Sequence, residues 1–137
     1  MTDVSQSIGF LLAKAYQRAC AFYKGTFGNY GLTPQQFGLL RFLWEEDGLT
    51  QVELSNRSQI DRTTIGGLID RLEQSGLLKR LPHPEDRRAY RIYLTAAGKA
   101  MEAELAPLAE ELHRAILEPL SQDEVDSLTA ILRKLRQ

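Results

Sequence analysis

The sequence predicts a mainly α-helical chain interrupted once, at about residues 77–94, by a small β-hairpin. Three observations predict it. Apolar residues recur at helical spacing in the segments before and after that stretch. Helix-start signatures of the Ser/Thr-x-x-Glu/Gln type stand at Thr33–Gln36, Thr50–Glu53 and Ser121–Glu124. Tyr90 to Leu94 alternates instead, with Tyr90, Ile92 and Leu94 on one face and Arg91 and Tyr93 on the other, as a strand does.

In chain order, residues 8–28 read as a first helix. Lys14, Gln17, Arg18 and Lys24 follow one polar stripe, and Phe10, Leu11, Leu12, Tyr16, Cys20, Phe22 and Tyr23 fill a wide apolar arc. A helix apolar over so much of its circumference needs a second surface to cover it, beyond one core. Gly28 to Gly31 ends it, and Thr33-Pro34 opens a second helix with proline at its first position. That helix carries Phe37, Leu40 and Trp44 on one face and stops at Asp47-Gly48. Thr50 caps a third helix, expected to carry Val52 and Leu54 inward. Ser58 to Ile60 is a turn, and Asp61 caps a fourth helix whose Ile65, Leu68, Ile69 and Leu72 form one apolar face. Gly76 stops it. Leu77 to Leu81 and Tyr90 to Leu94 pair as a hairpin whose prolines, Pro82 and Pro84, and charged tip favour exposure. Thr95 caps a long helix with Met101, Leu105, Leu108, Leu112 and Ile116 inward and Pro107 inside it. After Pro119, a last helix places Val125, Leu128, Leu132 and Leu135 in a 3-4-3 seam resembling a coiled coil.

Two short helices, a turn and a basic hairpin over Thr50 to Thr95 make a winged helix-turn-helix, with the helix-turn-helix at about 51–75 and the wing at about 77–94. Such a unit lays its second helix in a DNA major groove, where the helix's first residues reach base edges. Arg62, Thr63 and Thr64 hold those positions, and Arg62 can read guanine through paired hydrogen bonds worth about 1–3 kcal/mol of discrimination. Gly66 and Gly67 in mid-helix cost about 1 kcal/mol each relative to alanine. Either the backbone approaches DNA closely there, or the glycines are tolerated drift. Arg71 suits a phosphate or salt-bridge role. Asn56 and Arg57 suit phosphate contact or a solvated helix end. Arg87 and Arg88 at the wing tip reach phosphates or the minor groove.

The segments LTPQQF, GLTQVELSNRSQIDRTT, IDRLEQSGLLKR and PHPEDRRAYRIYLTAAG resemble the MarR family of bacterial transcription regulators over nearly the whole chain. The most specific part is Asp86-Arg87-Arg88, followed by a strand ending in Leu94-Thr95. The resemblance implies that Arg88 is the minor-groove arginine and that Asp86 orients it by a salt bridge. It also implies a cleft for an aromatic or lipophilic effector between the dimer helices and the DNA-binding lobe. Tyr16 and Phe37, with Arg18 or Arg41, are candidates to line that cleft for an aromatic carboxylate. Many relatives carry a groove-reaching side chain where this chain has Gly66-Gly67. Some sense peroxide through a cysteine near the start of the first helix. Cys20 instead lies mid-helix between alanines, where it reads as a small hydrophobe without a redox partner.

Composition sets the limits. A chain of 137 residues with 43% hydrophobic content suits one domain, read as 1–137, with dimerisation helices at 1–30 and 95–137 and a DNA-binding lobe at 31–94. The net charge of −1 is unevenly spread: residues 1–56 hold four basic and five acidic groups, 57–91 hold eight and five, and 92–137 hold five and eight. The balances of −1, +3 and −3 place the positive charge on the helix-turn-helix and wing. No apolar run suits a membrane span, the N-terminal MTDVSQSIGF lacks the features of a leader, and a single cysteine fits a reducing cytoplasm. One cysteine with His83 and His113 on separate elements gives neither a metal site nor a nucleophile pair, and no glycine-rich phosphate loop occurs. An enzyme is therefore not expected, nor is a cofactor.

The expected protein is a homodimeric regulator reading a pseudo-palindromic operator in duplex DNA, a repressor released by a small effector. A winged-helix protein-interaction module and a cysteine-based redox regulator of the same fold are the alternatives.

Overall fold

Short polar side chains set where the helices begin. The computed structural model describes residues 3–136, so the ends of the expected 1–137 domain lie outside the described residues. Ser7 caps α1 (Ile8–Phe27). Reciprocal capping boxes open α2 (Pro34–Glu45) at Thr33 and Gln36, α3 (Gln51–Ser58) at Thr50 and Glu53, and α6 (Gln122–Leu135) at Ser121 and Glu124. Asp61 caps α4 (Arg62–Gln74) and Thr95 caps α5 (Ala96–Leu117). Between α3 and α4, Gln59 takes a left-handed conformation at φ 59°. For a side-chain-bearing residue this costs about 1–2 kcal/mol. The turn is held by Ser58, whose hydroxyl accepts from the Ile60 N–H at 3.2 Å, and by Ser55, whose hydroxyl donates to the Ile60 carbonyl.

The hairpin is part of a three-stranded antiparallel sheet. β1 (Leu49–Thr50) and β2 (Leu78–Pro82) flank a central β3 (Tyr90–Leu94), with Leu49 and Arg80 both opposite Ile92 and Leu78 opposite Leu94. β1 is too short to show alternation, so the sequence reads only two of the three strands. The Asp47 carboxylate ties the end of α2 to this sheet, accepting from the Leu94 N–H at 2.8 Å.

Most of the core belongs to the helix-turn-helix lobe. Phe37, Leu39, Leu40, Leu43, Leu49, Leu54, Ile65, Ile69, Leu72, Leu78 and Ile92 are fully buried. Val52 does not join them. It is 43% exposed, because residues two apart on a helix point about 200° apart and Leu54 already takes the inward direction. Tyr90 is likewise exposed although it shares the strand face of Ile92 and Leu94, since it lies beyond the end of the core that this face covers. α5 adds Leu105 and Leu112, and it runs unbroken through Pro107, which deprives the carbonyl of exposed Ala103 of its helical donor. The Trp44 indole donates to the Gly98 carbonyl at 2.9 Å and holds α2 against the start of α5.

The outer helices bury little within the chain. α1 buries only Phe27 and α6 buries nothing, while Ile8, Leu11, Leu12, Leu128, Ile131, Leu132 and Leu135 stand exposed. No helix among the described residues is long and apolar enough to cross a membrane.

Candidate nucleic-acid interface

The candidate interface is built on the first turn of α4. The Asp61 carboxylate accepts from the Thr64 N–H at 2.8 Å and from the Thr64 hydroxyl at 3.0 Å. The bonds from the Thr64 backbone and then from its hydroxyl hold Asp61 below the usual aspartate range, so the cap stays ionised. Thr64 thereby spends its hydroxyl proton on the cap and cannot donate it to a base. Arg62 and Thr63 remain exposed in the same turn, where unpaired N–H groups and the helix dipole favour a nearby anion.

The wing meets this turn across a groove of about 360 Å³. Arg62 lines one wall and Asp86, Arg88 and Tyr90 another, with Thr50, Gln51 and Val52 at the start of α3 between them. The exposed Val52 therefore belongs to this surface, which its apolar character concealed. Arg88 is 95% exposed. Its backbone N–H donates to Asp86 at 3.0 Å, while its Nε stands 3.8 Å from the same oxygen. Asp86 thus shapes the wing-tip backbone more firmly than it holds the guanidinium, and an ion pair so exposed contributes little by itself. Among the described residues no carboxylate pairs with Arg62, Arg71 or Arg87.

Other expected positions divide. Asn56 is exposed on α3, but Arg57 reaches back to Glu46 at 3.2 Å and would have to exchange that partner for a phosphate. A methyl at Gly67 would meet nothing within 4 Å, and one at Gly66 would only touch the Gln51 amide at 3.4 Å. Packing within the chain therefore requires neither glycine. Arg80, absent from the sequence reading, bonds Asp70 and Glu73 of α4 at 2.7 and 2.9 Å. Strand alternation places it on the face of buried Leu78, and that was the available signal.

A second feature lies away from the wing. Tyr16, Cys20 and Tyr23 of α1 and Phe37, Gly38 and Arg41 of α2 line a cleft of about 220 Å³. Phe37 and Arg41 also form one wall of a second, about 250 Å³ cleft that faces Glu102 and Glu110 of α5. The Arg41 guanidinium lies 5.7 Å from the Phe37 ring centre. Arg18 lines neither cleft. Two residues beyond Tyr16, it points round α1 to α5, where it donates to the Ile116 carbonyl at 2.8 Å and stacks on Phe22 at 4.9 Å. Cys20 is a free thiol, half-buried on α1. It lines the same cleft as Tyr16, one helical turn away, and the neighbouring sulfur pushes the Tyr16 phenol above its ordinary range.

Comparison with known proteins converges on one group. The model of the MarR family matches residues 32–90, from the start of α2 to the return strand of the wing. The HTH-type transcriptional repressor NicR of Pseudomonas putida is 32% identical, the match covering 97% of this chain and 84% of that protein. The structure of Bordetella bronchiseptica BpsR, described in terms of regulation of its DNA binding by 6-hydroxynicotinic acid, superposes with a TM-score of 0.93 at 31% identity, covering 100% of this chain and 98% of that one. A mutant Escherichia coli MarR complexed with operator DNA superposes with a TM-score of 0.88 at 28% identity, covering 98% of this chain and 99% of that one. These matches establish that the chain belongs to the MarR family and is a DNA-binding transcription regulator, not an enzyme.

Proposed function

We propose that the chain is a cytoplasmic, homodimeric repressor that reads a pseudo-palindromic operator and is released from it by a small aromatic acid. One observation carries the DNA-docking part: Arg62, in the first turn of α4, and Arg88, on the wing, flank a single groove. With α4 in the major groove and the wing in the adjoining minor groove, the sugar-phosphate strand separating the two grooves lies between those arginines. The exposed apolar residues of α1 and α6 supply a surface for a second copy, whose two-fold symmetry would set two α4 helices on half-sites about one helical turn apart. Arg41 beside Phe37, Tyr16 and Tyr23 offers a cation and ring faces to an aromatic carboxylate. The match to BpsR, whose DNA binding is described as regulated by 6-hydroxynicotinic acid, supports that ligand class.

Selection of duplexes from a random-sequence pool is expected to recover inverted repeats, and light scattering at micromolar concentration to give twice the 15.5 kDa chain mass. On the selected duplex, Arg88→Ala should lower the salt slope by about one phosphate contact. Arg62→Ala should relax preference at one base position per half-site, costing about 1–3 kcal/mol. Unchanged affinity in both variants refutes the docking.

A further inference from the structure

Arg80 joins the root of the wing to the recognition helix. From β2, where it stands opposite Ile92, its guanidinium pairs with Asp70 at 2.7 Å and donates to Glu73 at 2.9 Å and to the Gly66 carbonyl at 3.3 Å. The second Glu73 oxygen accepts from the Arg80 backbone N–H at 3.2 Å, so side chain and strand are gripped together. Residues 66, 70 and 73 follow i, i+4, i+7 along one side of α4, and the contacts span two turns. They bridge the helix where Gly66 and Gly67 leave it intrinsically weakest. The Arg80 side chain is 22% exposed, against 42% for Arg57 in its surface pair with Glu46. A planar guanidinium that donates to Glu73 through one nitrogen and to the Gly66 carbonyl through the other is a geometry that lysine does not reproduce.

We propose that Arg80 is a positioning residue for DNA reading: it fixes the angle between α4 and the wing so that Arg62 and Arg88 engage one duplex together. The inference rests on the docking proposed above. Without the clamp, β2 and β3 remain paired but the hairpin pivots on α4. Arg88 then meets DNA from a spread of positions and loses its share of the affinity. Arg80 also neutralises Asp70 and Glu73 beside the reading face, an effect on charge that the test must separate from position.

The test is a double-mutant cycle, read by fluorescence anisotropy on the duplex selected by the wild-type protein, with thermal melts confirming that each variant is folded. Arg88→Ala is expected to weaken binding about tenfold in the wild-type background and less than threefold with Arg80→Met. Arg62→Ala should weaken binding equally in both backgrounds. Arg80→Lys, which retains the charge without the fork, should behave like Arg80→Met and serves if the methionine variant does not fold. Adding Asp70→Asn and Glu73→Gln to Arg80→Met should leave the Arg88 effect small. If these neutralisations restore it, or if Arg88→Ala costs the same in every background, the positioning role is overturned. If Arg88→Ala costs nothing even in the wild-type protein, the docking itself fails, and the clamp with it.

Discussion

Asp61 shows how much of the proposed reading surface hangs on one carboxylate. It takes both bonds from Thr64, stays ionised, and lies one residue before Arg62. A carboxylate whose folded-state pKa is depressed contributes stability that is present above the unfolded value and is lost as pH falls through the folded one. Asp61→Asn keeps an acceptor for the cap but removes both the charge at the helix N-terminus and the titration. The thermal midpoint of wild type should therefore exceed that of Asp61→Asn by a constant margin near neutral pH, and the margin should shrink below the usual aspartate range. A margin independent of pH would show that the cap works through hydrogen bonding alone. Single residues were legible when their neighbours in sequence were also their neighbours in space. Asp61 and the Asp86-Arg87-Arg88 run are of that kind. Arg80 was missed because its partners come from a helix 7 to 14 residues earlier. Arg18 was misplaced because two residues of helix turn a side chain to the far side.

At the scale of elements, helix starts were the most legible feature, because a cap is written within four residues and does not depend on the rest of the fold. The strand β1 was not, since two residues become a strand only by pairing with β3. Glycines within helices show the same division. Gly67 and Gly98 look alike in sequence, yet a methyl at Gly67 would stand in open space while one at Gly98 would overlap the Leu77 carbonyl and press the Leu94 side chain at 3.2 Å. Gly67→Ala should stabilise α4 by about 1 kcal/mol, raising the thermal midpoint by about 3 °C. Gly98→Ala should lower stability by about 1–3 kcal/mol, as overpacking does. Melting curves of the two variants decide this, and the same sign for both would contradict the packing at the start of α5. Operator binding by Gly67→Ala answers a further question. A stabler helix that binds DNA less well means that the backbone at Gly67 approaches the duplex closely, and unchanged binding means that the glycine is drift.

For the whole molecule the issue is how an event between α1 and α2 reaches the DNA-reading surface proposed on α4 and the wing. The links are few and identifiable. Arg18 fastens α1 to the end of α5, Trp44 fastens α2 to its beginning, and Asp47 fastens the end of α2 to the wing strand. A ligand wedged beside Arg41 acts on the joint between the helices proposed to hold the dimer and the lobe that reads DNA. It can weaken DNA binding only by preferring a state in which the two recognition helices do not fit successive grooves, and couplings of this kind amount to about 1–3 kcal/mol. Single-ring aromatic acids at saturation should therefore weaken binding to the selected duplex by roughly five- to 150-fold. Arg41→Gln should abolish that response while leaving affinity without ligand unchanged, because Arg41 lies outside the Arg62–Arg88 groove. Cys20→Ser should respond to the acids as wild type does, and peroxide should release neither protein. The peroxide arm is a real test, since Cys20 lines the cleft, where an oxidant can reach it. Release by peroxide that disappears in Cys20→Ser would make the same cleft an oxidant sensor, and an acid response that survives Arg41→Gln would move the effector to another site.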